Sequence, residues 1–168
     1  PFALLDTSVV HNGEISSYDT TRRHMETLGY DCTLLTDTEV IAYMIDYLVR
    51  KRGLTLQEMS AVVAAPFWST IQAMEPEKHA LHKYLRANFS PMLITGPFSI
   101  LVGFTGGMMA LNDRLKLRSM VVAEKGERVY VASEECAIRV LVPELERVWA
   151  PPGGEAVGIR FKGGVWHG

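Results

Sequence analysis

The sequence predicts an α+β fold built on largely antiparallel sheets. Three observations carry this reading. Short apolar segments at the start of the chain have strand character. The stretch from residue 36 to residue 88 has helical spacing. The second half returns to short strands separated by glycine-bearing turns. Strands, then helices, then hairpins is the order of an α+β chain rather than the regular alternation that builds a parallel sheet.

Taken in order, residues 4–10 read as a strand that ends at His11-Asn12-Gly13, where Asn-Gly is a turn signal because both residues tolerate positive φ. Residues 17–28 read as a helix stopped by Gly29, and 30–35 as a short strand. Thr36 and Glu39 have capping-box spacing, and Val40, Ile41, Met44, Ile45, Leu48 and Val49 follow at helical intervals. Arg50, Lys51 and Arg52 suit the negative end of that helix, and Gly53 ends it. Residues 55–64 and 75–88 read as further helices, the second with Leu81, Tyr84 and Leu85 as its apolar stripe. Phe67-Trp68-Ser69 lies between them, beyond Pro66, and is read as a lid, a partner surface or simple packing. Strands are expected at 97–104 and 108–111, with a hairpin of 117–123 and 128–132 turning at Lys125-Gly126. Ser133 is placed to cap a helix from Glu134, residues 157–161 read as a last strand, and Gly163-Gly164 loosens the tail.

The totals bound the function classes. A chain of 168 residues, 48% hydrophobic and 21% charged, is expected to form one domain, residues 1–168, with a real core. A net charge of -2 gives no global basic field for nucleic acid, and no apolar run is long enough to span a bilayer. Cys32 and Cys136 are too few for a disulfide scaffold, which makes a reducing cytoplasm the expected compartment. His79 and His82 share a helix face, but no further ligands complete a metal site. Two cysteines cannot ligate an iron–sulfur cluster alone, and no flavin signature is present, so no cofactor is expected in this domain.

Four short motifs bear chemistry. At His11-Asn12-Gly13-Glu14-Ile15, a carboxamide and a backbone N–H can converge on one spot and hold an oxyanion, as acyl transfer requires; an ordinary turn is the alternative. In Thr36-Asp37-Thr38-Glu39, Asp37 either serves the helix N-terminus or turns its carboxylate to a ligand's ammonium group. Asn112-Asp113-Arg114 reads as a charged turn with local salt bridges, and Ala132-Ser133-Glu134-Glu135 as a helix cap.

In order, the stretches VVHNGEISSY (9–18), TDTEVIAYMIDYLVRKRG (36–53), GPFSILV (96–102), ALNDRLKLRSMVV (110–122) and VASEECAIR (131–139) resemble the class II glutamine amidotransferases, and in particular the amidotransferase portion of glutamate synthase. The resemblance implies a four-layer αββα sandwich of the N-terminal-nucleophile type. It implies that Asn12, by its side-chain amide, and Gly13, by its backbone N–H, form the oxyanion hole, and that Asp37 holds the α-amino group of glutamine. His11, Thr36 and Gly13 fall to the substrate-binding set, while the NDR and ASE stretches shape the β-layers and the pocket floor.

The sequence departs from the family at position 1, where proline stands in place of a nucleophilic cysteine, and no arginine precedes His11 to clamp the substrate carboxylate. The chain is therefore expected to be the C-terminal majority of the domain, with the nucleophile upstream of it. The implied activity is glutamine hydrolysis to glutamate and ammonia for a glutamate synthase-type domain or subunit. The rival is a catalytically silent glutamine-binding or regulatory module of a synthase complex. Glutamine and the synthase are the expected partners, without nucleic acid or membrane, and self-association is left open.

Overall fold

The computed structural model describes residues 1–161 and 164–167. Strand β1 (Phe2–Leu4) turns at Leu5-Asp6 into β2 (Thr7–Gly13), Leu5 adopting a positive φ of 52°. The alternation along β2 sends Val9 and His11 to one face and Val10 and Asn12 to the other. The expected turn at His11–Gly13 is instead paired strand: Asn12 lies opposite Ser99 and Gly13 opposite Phe98. The sequence signal is real, but its cause differs. Gly13 has φ +154°, and a Cβ there would sit 2.1 Å from the Pro97 carbonyl oxygen, so only glycine lets the two strands approach.

Helix α1 (Tyr18–Thr27) follows and stops at Gly29, whose φ is +85°. Residues 30–36 form no strand; they make an irregular approach to α2 (Asp37–Ile45), which continues as wider π-helical turns over Asp46–Lys51. The reason is Glu39. Instead of closing a capping box with Thr36, its fully buried carboxylate accepts the N–H groups of Thr33 (3.1 Å) and Leu34 (2.9 Å), fixing them in a loop. The capping box belongs to the next helix, α3 (Leu56–Val63), between Thr55 and Glu58. Arg50 is held in a two-bond pair with Asp46, which also accepts the Tyr30 hydroxyl. Two helices follow, α4 (Trp68–Gln72) and α5 (Pro76–Asn88). Leu85 of α5 is buried, but Tyr84 and Leu81 are exposed, so the stripe is narrower than its spacing suggests.

The remaining strands are β3 (Phe98–Phe104), β4 (Gly107–Asn112), β5 (Val121–Lys125), β6 (Arg128–Ala132), β7 (Arg147–Trp149), β8 (Val157–Arg160) and β9 (Gly164–His167), with α6 (Glu135–Leu141) after β6. They form a six-stranded sheet in the order β1-β2-β3-β4-β8-β9 and a three-stranded sheet in the order β6-β5-β7, all pairings antiparallel. Helices α1, α2 and α3 cover the outer face of the larger sheet, where Val9, Ile100, Val102, Met109 and Leu111 meet Met25, Ile41, Met44 and Met59. Helix α6 packs on β5 and β6. The layers are therefore helix, sheet, sheet, helix: the four-layer αββα sandwich implied by the motifs.

Several local expectations need correction. Residues 117–120 precede β5 rather than belonging to it, because their chain wraps Asp113. The residue before α6 is Glu134, and no side chain caps the helix, so Ser133 does not act as a cap. Strand β7 went unread, being a three-residue segment whose pairing partner β5 is distant in sequence. Gly163 lies outside the described residues, while Gly164 opens β9 rather than loosening the chain.

Candidate functional site

The site forms where β2 ends against the first turn of α2. His11 points from β2 into the helical layer, its side chain only 2% exposed, with Nδ1 3.2 Å from Asp37 Oδ1. The other Asp37 oxygen accepts the Ile15 N–H at 3.4 Å, just past the end of β2. Asp37 is thus gripped from two sides of the strand end while its carboxylate stays 24% exposed. Burial lowers the His11 pKa below the usual imidazole value, against the pull of Asp37, and the Arg118 charge lowers it further. A neutral imidazole with its proton on Nδ1 donates to Asp37 in this geometry; its Nε2 is buried without a partner among the described residues.

Asn12 lies on the opposite face of β2. With Val10, Ser99 and Leu101 it lines a cavity of about 200 Å³ whose far wall is Met120 and Val131 at the smaller sheet. The row continues across the sheet, since Asn12 pairs with Ser99 and Ser99 with Asn112. Asn112 is fully buried, with its Nδ2 3.4 Å from the Arg118 carbonyl and its Oδ1 without a partner among the described residues. Asn12 itself is exposed, its amide free to face a ligand. Thr36, extended at φ -124° and ψ 140°, shares a second groove of about 250 Å³ with Pro1, Phe2 and His11.

The strand end thus carries a carboxamide on one face and a backed carboxylate on the other, with Gly13 between them. Gly13 is held by β3, and the neighbouring Glu14 N–H bonds the Pro97 carbonyl at 2.9 Å, fixing this end of the strand.

No protein-family model matches the chain. An uncharacterized protein of Archaeoglobus fulgidus is 49% identical over 162 residues, 96% of this chain and 43% of that protein. A protein of Methanothermobacter thermautotrophicus provisionally named a glutamine amidotransferase is 30% identical over 153 residues, 90% of this chain and 41% of that one. Among solved structures, the glutamine phosphoribosylpyrophosphate amidotransferase of B. subtilis superposes with a TM-score of 0.63 at 20% identity, over 96% of this chain and 28% of that one. The chain is similar in sequence to a glutamine amidotransferase and shares the fold of the glutamine phosphoribosylpyrophosphate amidotransferase. It spans less than half the length of these relatives.

The structure brings His11, Gly13, Thr36 and Asp37 to one strand end and sets Asn12 on the other face of the same strand. Neither cysteine joins them. Cys32 is buried with its thiol pKa raised by burial, and Cys136 is exposed on α6, its thiol beside Glu134, which raises its pKa too. Sequence reasoning missed Glu39 as the residue that holds the approach to Asp37; nothing in a Thr-x-x-Glu pattern separates that role from a cap. It missed Ser99, and it singled out Asn112 without the strand register that brings both beside Asn12. Asp113 forms no salt bridge among the described residues and instead accepts backbone N–H groups. Among the described residues, no group of three or more His, Cys, Asp or Glu is placed to hold a metal ion, and no helix is long and apolar enough to cross a membrane.

Proposed function

We propose that this domain binds glutamine and supplies the substrate-side half of its hydrolysis to glutamate and ammonia. The observation that carries the proposal is the Asp37 carboxylate, partly exposed at the end of β2 and held by His11 Nδ1 and Ile15 N–H. A carboxylate so fixed is suited to the α-ammonium of an amino acid. In this reading Thr36 lines the same pocket, and Asn12, by its amide, and Gly13, by its backbone N–H, take the oxyanion that forms when a cysteine thiolate attacks the side-chain amide carbon. Collapse of that intermediate expels ammonia and leaves a thioester; water then releases glutamate. In this reading neither Cys32 nor Cys136 is the nucleophile, since one is buried and the other lies exposed on α6. The ammonia passes to a synthase domain or subunit, and the glutamate synthase character rests on the motif order in this sequence.

The test is Asn12→Ala in the full-length protein that carries this domain. Asn12 is exposed, so the variant keeps its fold, and glutaminase turnover falls about a hundredfold or more, as expected for loss of an oxyanion donor. Unchanged turnover overturns the oxyanion assignment, and saturable glutamine binding without any wild-type hydrolysis moves the domain to a silent glutamine-binding module.

A further inference from the structure

We propose that the cavity between α3, α4 and α5 is a second binding site, for a small amphipathic anion with an apolar body and a single carboxylate head. This cavity measures about 470 Å³, within the range of about 300–1,000 Å³ typical of small-molecule sites. Its origin is legible in side-chain size. Ser60 and Ala61 of helix α3, with Ala64 just past its end, line the cavity together with Leu81 and Leu85 of α5, and these small residues leave the space between the helices open.

The walls are built rather than loose. Gly153 and Gly154 bring the loop after Pro152 against the protein backbone: a Cβ on Gly153 would lie 2.7 Å from the Arg114 carbonyl oxygen, and one on Gly154 3.0 Å from that of Ala64. Arg114 donates to the Ala65 carbonyl at 3.3 Å and lies 4.6 Å from the Phe67 ring centroid. Arg86 donates to the Pro66 carbonyl and lies 5.0 Å from the Trp68 ring centroid. These contacts hold the Phe67–Trp68 segment in place although both rings are more than 40% exposed.

The apolar interior comes from Phe67, Met74, Leu81 and Leu85. Lys78 and Arg114 stand on the lining beside Glu58 and Glu155, and the two cations supply the N–H donors that a single carboxylate needs. Lys78 has no ion-pair partner among the described residues, and Arg114 spends one N–H on Ala65 and keeps others. His82, in the same wall, has a buried Nδ1 without a partner among the described residues. Of the two acidic residues on the lining, Glu58 has Oε2 committed to the backbone N–H and hydroxyl of Thr55. Glu155 stands on the rim and disfavours a doubly charged head such as a phosphate.

The experiment is calorimetric titration of the full-length protein with decanoate below its micellar concentration, with decylamine as the same body under the opposite charge. Decanoate is expected to bind saturably at one site per domain, with decylamine at least about tenfold weaker. Ala61→Leu fills the floor and Leu81→Trp blocks the mouth from an exposed position; each is expected to weaken decanoate by about tenfold or more. Lys78→Gln weakens decanoate and leaves decylamine unchanged. Thermal melts identify any variant that fails to fold, and Leu81→Trp carries the test if Ala61→Leu does so. Absence of saturable binding, equal affinity for the amine, or decanoate binding unaltered by Leu81→Trp overturns the site.

Discussion

His11 Nδ1 lies 3.2 Å from Asp37 Oδ1, joining the third residue from the end of β2 to the first residue of α2. The imidazole is buried behind the carboxylate, so in the proposed site its contact is with Asp37 and not with glutamine. His11 is then a positioning residue, which separates its expected phenotype from that of Asn12.

Replacing His11 with leucine removes the donor and frees the Asp37 carboxylate to turn away. The KM for glutamine is expected to rise about tenfold, the size of one hydrogen bond to a charged group, with a smaller change in kcat. His11→Asn places a side-chain N–H near the position of Nδ1 and is expected to restore most of the loss. Steady-state kinetics on the full-length protein check both. A His11→Leu variant with unchanged KM shows that Asp37 needs no such support.

The same burial predicts a dependence of stability on pH. The folded His11 pKa lies below the ordinary value of about 6.5. Below that value the unfolded chain takes up the proton before the folded one does, so the unfolded state binds more protons and stability falls as pH falls. His82 shifts in the same direction, through burial and then the Lys78 charge, and adds to the slope. Melting temperatures measured from pH 7.5 down to 5 should therefore decline, and His11→Asn should make the decline shallower. A steeper or unchanged slope in that variant contradicts the assignment of His11 as neutral in the fold.

Gly13→Ala tests the strand end rather than the chemistry. At φ +154° and with Pro97 O 2.1 Å from the added Cβ, the alanine forces β2 and β3 apart at that end. A loss of about 2–3 kcal/mol is expected from strain and lost pairing, read by urea denaturation. Glutaminase activity should fall as well, even though no side-chain donor is removed.

How far the sequence could be read depended on the range of the interaction. Helices with local signals, such as the Gly29 and Gly53 stops, were legible because their causes lie within one turn of the chain. The order of motifs pointed to the sandwich that the sheets adopt. What failed was any feature whose partner lies elsewhere. Glu39 matches a cap pattern, but its carboxylate reaches back to Thr33 and Leu34 in a loop that no local propensity describes. Asn12-Gly13 matches a turn, yet strand β3, more than eighty residues on, recruits it into the sheet. Ser99 carries no signal of its own, and Asn112 only that of its motif, until register places them in a row with Asn12.

Asp113 gives the last test, because a charged turn and an internal anchor predict different things. The residue is 3% exposed; Oδ1 accepts the N–H groups of Leu115 and Leu117, each at 3.0 Å, and Oδ2 those of Arg118 at 3.0 Å and Phe98 at 3.4 Å. The loop after β4 is therefore wound around one side chain, which explains the positive φ of 54° at Lys116 and ties the loop to the start of β3. A surface salt bridge would be worth at most about 1 kcal/mol and would weaken with salt. Removing this anchor leaves several N–H groups without an acceptor, so Asp113→Ala should lose about 2–4 kcal/mol, in line with leaving buried donors unpaired. Asp113→Asn should recover only part, since its NH₂ group faces donors instead of accepting from them. Denaturant unfolding of both variants at low and high salt decides the matter. A loss that vanishes in high salt returns Asp113 to the role of a surface charge, and a loss insensitive to salt establishes it as the anchor of the loop that leads from the larger sheet to the smaller one.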